Sequence, residues 1–349
     1  MAGVSGERSV PAPDGPTLAS PSSHTATPGD TVPMAWVLGN LTIDDVVFAT
    51  GRTAMGLCGG NAAWAAIGAR VWHGRVGLVT RAGFDFPGDH LTAMAAGGIQ
   101  MQVRHVPGAS IHNWSLYESD TLRQFVTWMS SGTHADLSPT PDELPATVRA
   151  GSGCHVAPMP LAIQRSLLAE LHTRRVVPIT LDPHEDHVRG NEAQFLALLP
   201  DIDTFLPSQV EAALLYGRDD PEAAARACGE AGAARVIVKL GPEGSIVFER
   251  EQPVVHVPAV PVADPVDPTG AGDAYCGGYL AARLAGRDAL TAACYGTVSA
   301  SLIVESRGAV AALDLRPEVA RDRLARLLET VGSGRVAVSS QGGTSHANG

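Results

Sequence analysis

Short apolar runs alternate with helix-like segments along most of this chain, and this alternation limits the fold more than any other feature. Residues 35–38 form a short apolar run that ends at Gly39, and residues 76–79 form another. Short apolar runs bounded by turn residues are typical of buried strands. Because helical patterns stand between them, the sequence predicts an α/β fold, with a mostly parallel sheet flanked by helices on both faces.

The alternation is most regular after residue 154. Further strands are predicted at residues 154–157, 176–181, 204–206, 236–240 and 245–248, and helices at residues 61–71, 89–96, 161–174, 191–198, 210–216, 221–231, 271–285, 290–304 and 317–328. Residues 101–129 differ, because strand-forming residues such as Ile111, Trp114 and Val126 occur there in short alternating pieces. This pattern predicts antiparallel strands that form a flap outside the main sheet.

Both ends of the chain lack a hydrophobic period. Residues 1–33 are rich in Pro, Ser, Thr, Gly and Ala, and residues 331–349 have a similar character. Such segments bury too little apolar surface to offset the entropy of ordering them. We therefore predict a disordered leader, one domain over residues 34–330 and a disordered tail.

Composition excludes several classes of function. The net charge of −11 repels phosphate backbones, so nucleic-acid binding is not expected as the main task. The five cysteines are odd in number and have no C-x-x-C spacing, so buried, inert thiols are predicted rather than disulfides or structural zinc. No apolar run reaches the ~18 residues of a membrane helix, and no signal peptide is evident. A cytoplasmic location is expected.

The segment Asp267-Pro-Thr-Gly-Ala-Gly-Asp273 predicts an anion-binding loop. Its proline and glycines favour an irregular loop, and helical character begins at Ala271. The backbone N–H groups of Gly270, Ala271 and Gly272 would then lie unpaired at a helix N-terminus, where the helix dipole also favours negative charge. A phosphate could approach the backbone closely because glycines lack side chains.

Asp273 follows this loop directly and has two interpretations. It could be a helix N-terminal acid, which stabilises a helix by roughly 0.3–1 kcal/mol. It could also accept a hydroxyl proton while the loop holds the transferring phosphoryl group, and the neighbouring glycines favour this second reading. Two other phosphate motifs are excluded, because the chain's single lysine follows Val238 and because Tyr275 stands where a dinucleotide loop needs glycine.

Together with the small-residue helix that follows it, this segment resembles the C-terminal signature of the ribokinase/PfkB family of carbohydrate and nucleoside kinases. The resemblance covers about residues 34–315. It implies a ribokinase-like fold with a small β-sheet lid, whose strands would come from about residues 41–55 and 101–131. It also implies ATP and Mg²⁺ as cofactors, phosphorylation of a substrate hydroxyl, and possible pairing of two lids in a homodimer.

The same resemblance implies a set of substrate-binding residues. Asp44 matches an acid that binds substrate hydroxyls, although a turn aspartate is equally compatible with its spacing. A substrate-side diglycine is matched by Gly59 and Gly60. The family usually has asparagine where this chain has Trp64; Asn61 could replace it in part, and Trp64 is either a substrate contact or a packed core residue.

Nucleotide and metal positions are implied in the same way. Glu211 matches an acid that organises Mg²⁺ through water, and Asp267 matches a monovalent-cation site that could take K⁺. Lys239 is the only lysine among 25 basic residues, at a position where the family often has threonine, and it suits a phosphate contact. The implied nucleotide-binding residues are Lys239, Gly241, Gly244, Thr269, Gly270, Gly272 and Gly308.

A second cluster, at residues 182–187, raises a metal hypothesis. His184 and His187 are three residues apart and could share one helical face. No third ligand is evident from spacing, and Asp182 followed by proline indicates a turn, so a solvated loop is favoured.

Three functions remain open. The favoured one is ATP-dependent phosphorylation of a sugar or sugar-like substrate. A nucleoside kinase of the same fold is the alternative, since Trp64, Trp114 and Tyr117 could stack on a base. A ligand sensor without catalysis is the third, and the intact Asp273 and glycine loop count against it.

Overall fold

Two β-sheets organise the protein, which we describe from a computed structural model at residues 32–118, 123–333 and 338–339. The strands are β1 (Ala35–Leu38), β2 (Thr42–Val47), β3 (Thr53–Gly59), β4 (Val76–Ala82), β5 (Ile99–His105), β6 (Ile111–Tyr117), β7 (Arg123–Thr127), β8 (Gly153–Val156), β9 (Ile179–Leu181), β10 (Thr204–Phe205), β11 (Arg235–Lys239), β12 (Ser245–Glu249), β13 (Val254–Val257) and β14 (Val338–Ser339). The α-helices are α1 (Asn61–Arg70), α2 (Gly88–Ala96), α3 (His134–Leu137), α4 (Leu161–Thr173), α5 (Glu185–Val188), α6 (Glu192–Leu196), α7 (Gln209–Tyr216), α8 (Pro221–Glu230), α9 (Ala271–Leu284), α10 (Ala289–Ile303) and α11 (Pro317–Gly332).

The large sheet has ten strands in the order β14-β13-β12-β11-β10-β9-β8-β1-β4-β5. The strands from β5 to β11 pair in parallel, and β11 to β14 pair antiparallel. All four residues of β1 are buried, as expected for a strand covered by helices on both faces. The predicted α/β fold with a mostly parallel sheet is therefore confirmed. Parallel pairing also brings the carboxyl ends of β1, β9, β10 and β11 to one edge of the sheet, where ligands bind in open α/β folds.

Small residues set the position of α9, the helix that follows the glycine loop. A Cβ atom built on Gly68 of α1 would lie 2.1 Å from the carbonyl oxygen of Ala274, and one on Gly277 would lie 1.8 Å from that of Ala65. The backbones of α1 and α9 therefore touch, which no larger residue at either glycine would allow. This contact fixes the N-terminus of α9 at the carboxyl edge of the sheet.

The small sheet has four strands in the order β3-β2-β6-β7. Asp44 pairs with Asn113 across β2 and β6, so these two side chains lie on one face. Asp45 and Trp114 pair next to them and lie on the opposite face.

The predicted lid boundary was wrong at one end. Residues 101–105 belong to β5, which pairs in parallel with β4 in the large sheet, so the second part of the small sheet begins only at Ile111. Alternation of side chains predicts strands but does not say which sheet they join.

The chain ends also differ from prediction where they are described. The predicted leader lies almost wholly outside the described residues. The predicted tail was wrong at its start, because α11 continues to Gly332, and residues 338–339 pair with β13, a strand that the sequence analysis missed. Among the helices that the structure describes, none is long and apolar enough to span a bilayer.

Candidate active site

The predicted anion loop lies at the start of α9. Gly270 is the residue before the helix and has a φ of 79°, a conformation that favours glycine. A Cβ atom there would lie 2.2 Å from the indole ring of Trp64, so a side chain is excluded by contact as well. The loop conformation therefore depends on glycine at position 270 and on the ring beneath it.

Two of the three predicted backbone donors are available in this loop. Within the described chain, the N–H groups of Gly270 and Gly272 have no hydrogen-bond acceptor. The third prediction was wrong, since the Ala271 N–H donates to the carbonyl of Pro268 at 3.2 Å and closes the turn before the helix. Gly272 is exposed, so its N–H can reach a ligand in solution.

Asp273 stands in the first turn of α9, next to these donors. Burial raises the pKa of its carboxyl group from 3.8 to about 6, while Lys239 and His184 lower it and Glu211 raises it further. Its side chain remains partly open to solvent. At pH 7 the group is therefore mostly ionised, yet its pKa is closer to neutrality than that of an ordinary aspartate, as suits a proton acceptor.

Lys239 ends β11 and lies beneath the loop, where its ammonium already has a partner. Its Nζ is 2.5 Å from Oδ2 of Asp182, which follows β9, and 3.5 Å from Sγ of Cys276. A Cβ atom on Gly272 would lie 3.8 Å from the same Nζ. Lys239 thus forms an ion pair with Asp182 directly behind the anion loop, and its predicted phosphate contact stays a prediction.

Asp44 belongs to the face of the small sheet that contacts the signature loop. Burial raises the pKa of its carboxyl group to about 6, hydrogen bonds from Thr42 and Asn113 lower it, and the charge of Asp267 raises it. Gly59 leaves room for it, because a Cβ atom there would lie 1.8 Å from Oδ2 of Asp44. A half-buried carboxylate with these neighbours can accept hydrogen bonds from substrate hydroxyls.

The rest of the predicted substrate side has structural roles. Gly60 has a φ of 100°, and a Cβ atom there would lie 2.4 Å from the carbonyl oxygen of Asn40. Asn61 uses both ends of its amide on the backbone, since Oδ1 accepts from Asn40 N and Nδ2 donates to the carbonyl of Pro158. Trp64 is 3% exposed and packs under Gly270, so the core interpretation holds and its placement in the substrate pocket was wrong.

The signature loop is joined to the small sheet through Asp267. Oδ1 of Asp267 accepts hydrogen bonds from the hydroxyl of Tyr117 at 3.2 Å and from Thr269 N at 2.9 Å. Gly308, which stays a predicted nucleotide residue, is next to β3: a Cβ atom built on it would lie 3.4 Å from the side chain of Leu57. Tyr117 is therefore engaged with the loop rather than presented to a base.

The other predicted nucleotide and metal residues lie at the same edge. Gly241 and Gly244 form the turn between β11 and β12; Gly241 is exposed, and Gly244 packs against the backbone of Val257. Glu211 caps α7, where Oε2 accepts from Ser208 N at 2.6 Å. Its other carboxylate oxygen is the candidate for the predicted water-mediated Mg²⁺ contact, because hard oxygen donors suit that ion.

The histidines of the 182–187 cluster lie near the site, and among the described residues they do not belong to any group of three side chains close enough to hold a metal ion. His184 accepts a hydrogen bond from Asp186 N, and its ring is 5.8 Å from that of His187; His134 stands a further 6.2 Å from His187. Burial lowers the pKa of His134 to about 4, so it is neutral at physiological pH. The three rings thus form a row, and of these three His184 is the one whose charge lowers the pKa of Asp273.

Sequence reasoning missed four residues of this site: Asn113, Tyr117 as a partner of Asp267, Asp182 and Cys276. Only Asp182 carried a signal, because it directly follows a parallel strand at the ligand-binding edge. The other three depend on strand register and helix packing. All five cysteines are buried and unpaired, as predicted.

Comparison with known proteins is consistent with this geometry. The family model described as pfkB family carbohydrate kinase matches residues 46–316. A cytidine kinase from Thermococcus kodakarensis is 31% identical over 256 residues, which cover 72% of this chain and 88% of the relative.

Solved structures agree in fold. A protein of E. coli described as a putative ribokinase II, in complex with ATP and Mg²⁺, superposes with a TM-score of 0.71 at 20% identity, covering 84% of this chain and all of that chain. Aminoimidazole riboside kinase from Salmonella enterica gives a TM-score of 0.69 at 20% identity, covering 83% of this chain and 99% of its own. The fold is therefore ribokinase-like. Since the family model spans most of the chain and a relative matches over most of its own length, this protein belongs to the pfkB family of carbohydrate kinases and is a phosphotransferase that acts on a sugar or nucleoside.

Proposed function

We propose that this chain transfers the terminal phosphoryl group of ATP to a hydroxyl of a small sugar or sugar-like molecule, with Asp273 as the general base. One observation carries the proposal: a partly buried carboxylate with a pKa of about 6 shares a helical turn with two backbone N–H groups that have no acceptor in the described chain. A base and an anion hole at this spacing are what phosphoryl transfer to an alcohol requires.

The proposed reaction is a single in-line displacement. Asp273 accepts the proton of the substrate hydroxyl, whose oxygen forms a bond to the terminal phosphorus of ATP as the bond to ADP breaks. The N–H groups of Gly270 and Gly272 donate to the phosphoryl oxygens and stabilise the charge that they carry. Asp44 accepts a second substrate hydroxyl and orients the sugar.

Glu211 is the residue that would hold Mg²⁺ through water, and the bound ion would neutralise charge on the ATP phosphates. Gly241, Gly244 and Thr269 would border the nucleotide. A K⁺ site at Asp267 stays a proposal from family resemblance, because Tyr117 and Thr269 already donate to that carboxylate.

A nucleoside kinase is the second candidate, and the match to a cytidine kinase over 88% of that relative favours it. The three aromatic residues that could stack on a base are engaged elsewhere. Trp64 lies under the anion loop, Trp114 donates its indole N–H to Asp45 on the far face of the small sheet, and Tyr117 donates to Asp267. Base recognition would therefore need other side chains, for which the half-buried His134, His184 and His187 are available.

The small sheet is also the surface at which we propose that two copies pair. Its face opposite Asp44 exposes apolar side chains, including Val126 at 45% and Trp128 at 39%. Isolated edges and exposed apolar patches of this kind are typical of contact surfaces.

The test is ADP release by the purified chain with MgATP and a panel of free sugars and nucleosides. We expect turnover with at least one substrate and a loss of at least a hundredfold in Asp273→Asn. The control is Glu318→Gln, which removes an exposed first-turn acid from α11 and should leave turnover unchanged. Full activity in Asp273→Asn would refute the base assignment. ADP release with none of the panel, together with tight sugar or nucleoside binding, would favour the sensor.

A further inference from the structure

A buried cluster of four side chains lies behind the anion loop. Oδ2 of Asp182 accepts hydrogen bonds from Lys239 Nζ at 2.5 Å and from Cys276 Sγ at 3.4 Å. His155 lies close enough that its ring nitrogen, the Asp182 carboxylate and the Cys276 thiol are all within 4.8 Å of one another. His155 lies in β8, Asp182 directly follows β9, Lys239 ends β11 and Cys276 lies in α9, so the cluster joins the sheet to the helix that carries Asp273.

The cluster has the ligand types of a zinc site, yet it already contains a cation. Nitrogen, sulfur and carboxylate ligands are those that zinc prefers. The ammonium of Lys239 contacts both the carboxylate and the thiol, and a divalent ion beside it would meet strong repulsion. The Asp182 carboxylate raises the pKa of Lys239 against the cost of burial, so the lysine keeps its proton.

The ammonium is directed at the catalytic loop from the protein side. A Cβ atom on Gly272 would lie 3.8 Å from Nζ, and no other side chain stands within 4 Å of that point. Lys239 is half-buried and already paired, which distinguishes it from a mobile surface lysine that reaches out to a nucleotide. It lies beneath Gly272, and its charge acts on the next residue, Asp273.

We infer that Lys239 is a positioning residue for phosphoryl transfer: held by Asp182, its ammonium keeps positive potential behind the anion loop and keeps Asp273 ionised. This rests on the proposed role of Asp273. The groups that act on Asp273 from the surrounding elements are Lys239 on β11, His184 before α5, Glu211 on α7 and the buried Asp182 after β9. Among them, Lys239 opposes the effect of burial most strongly.

This role also explains why position 239 holds the only lysine of the chain, whereas the other 24 basic residues are arginines. A lysine ammonium is a compact point charge that fits between one carboxylate and one thiol. An arginine there would bring a planar fork with five N–H donors, and most of them would lack acceptors in this buried space. Lys239→Arg should therefore fold poorly or displace α9.

The deciding experiment is an NMR titration of the Asp273 carboxyl carbon in ligand-free protein, with ¹³C-labelled aspartate and Asp273→Asn to assign the signal. Lys239→Met should move the midpoint upward, because a positive neighbour is lost. Asp182→Asn should move it upward by less, because this change removes a negative neighbour of Asp273 as well as the partner that keeps Lys239 charged. A purely structural role would predict no such difference between the two variants.

Where Lys239→Met does not fold, the double variant Lys239→Met with Asp182→Asn removes both charges and replaces them with groups of similar size. The matched control is Arg235→Met with Glu249→Gln, an ion pair of 2.7 Å at the other end of β11. The control should leave the Asp273 midpoint in place. An unchanged midpoint in the lysine variants would overturn the inference.

This titration needs neither nucleotide nor turnover, so its result does not depend on whether the proposed function is correct. Loss of the midpoint shift refutes the role of Lys239, whereas activity of Asp273→Asn refutes the base. If both hold, the part of the acid limb of kcat/KM that belongs to Asp273 should move upward in Lys239→Met by the same amount as the midpoint, and the part that belongs to Asp44 should stay in place.

Discussion

The pH dependence of kcat/KM gives the sharpest test of the site, because two carboxylates in it have the same raised pKa. Burial raises the pKa of both Asp44 and Asp273 to about 6. In the proposed reaction both must be ionised, Asp273 to accept the proton and Asp44 to accept a hydrogen bond from the substrate. Activity should therefore fall as pH is lowered through 6, not through the usual range of aspartates near 4.

The size of the fall follows from these values. A carboxyl group with a pKa of about 6 is ionised in about 99% of molecules at pH 8 and in about 9% at pH 5. One required carboxylate therefore gives a decrease of about tenfold between these pH values. Two required carboxylates give a decrease of roughly a hundredfold, and the limiting slope of log kcat/KM against pH is two instead of one.

The measurement is direct ADP quantification at saturating MgATP between pH 5 and pH 8, with the substrate well below its KM. Asp44→Asn is the informative variant, because it removes one titration and should leave a slope of one. The nucleotide's own titration is common to both proteins and cancels in the comparison. A wild-type slope of one, or an acid limb centred near pH 4, would show that the two carboxylates do not act together as argued.

Three further outcomes are expected. Asp273→Asn should increase the free energy of unfolding at pH 7 by up to about 3 kcal/mol, because burial raises the carboxyl pKa from 3.8 to about 6; urea titrations should show the gain in full above pH 6 and shrinking as pH falls toward 4. Gly59→Ala should raise KM at least tenfold by displacing Asp44, whose Oδ2 lies 1.8 Å from the new Cβ, while Gly88→Ala, which meets no atom within 4 Å, should not. Val126→Glu should shift the protein toward monomer in light scattering, and an unchanged mass would contradict pairing through the small sheet.

Much of the fold was predictable because it follows from local patterns. Apolar runs and helical periods predicted the parallel sheet, and two glycines before a helix predicted the anion loop at its N-terminus. Local patterns could not predict which residues far apart in the sequence contact each other. Whether residues 101–105 join the large sheet or the small one depends on pairing with β4, and the contact of Tyr117 with Asp267 spans 150 positions.

The site residues divide in the same way. Gly270, Gly272 and Asp273 are neighbours in sequence, so their arrangement could be inferred from a helix start. Lys239 was singled out because it is the only lysine and because it matches a nucleotide-side position of the family, and its actual partner, Asp182, was assigned to a turn. The buried ion pair forms only when two strands and a helix meet, which no spacing in the sequence encodes.

Trp64 is the residue at which this chain departs from the family pattern, and it also supports the anion loop. A side chain on Gly270 would occupy the space of this indole, so the ring fills the volume that supports the loop from below. The indole Nε1 is buried and has no hydrogen-bond partner in the described chain, which costs about 1–3 kcal/mol. The packing of this ring under Gly270 must therefore offset that cost. The departure therefore places an apolar ring under the proposed anion loop in place of a polar group on the substrate side, so we expect substrate recognition to rest on Asp44 and on side chains outside the family's usual set.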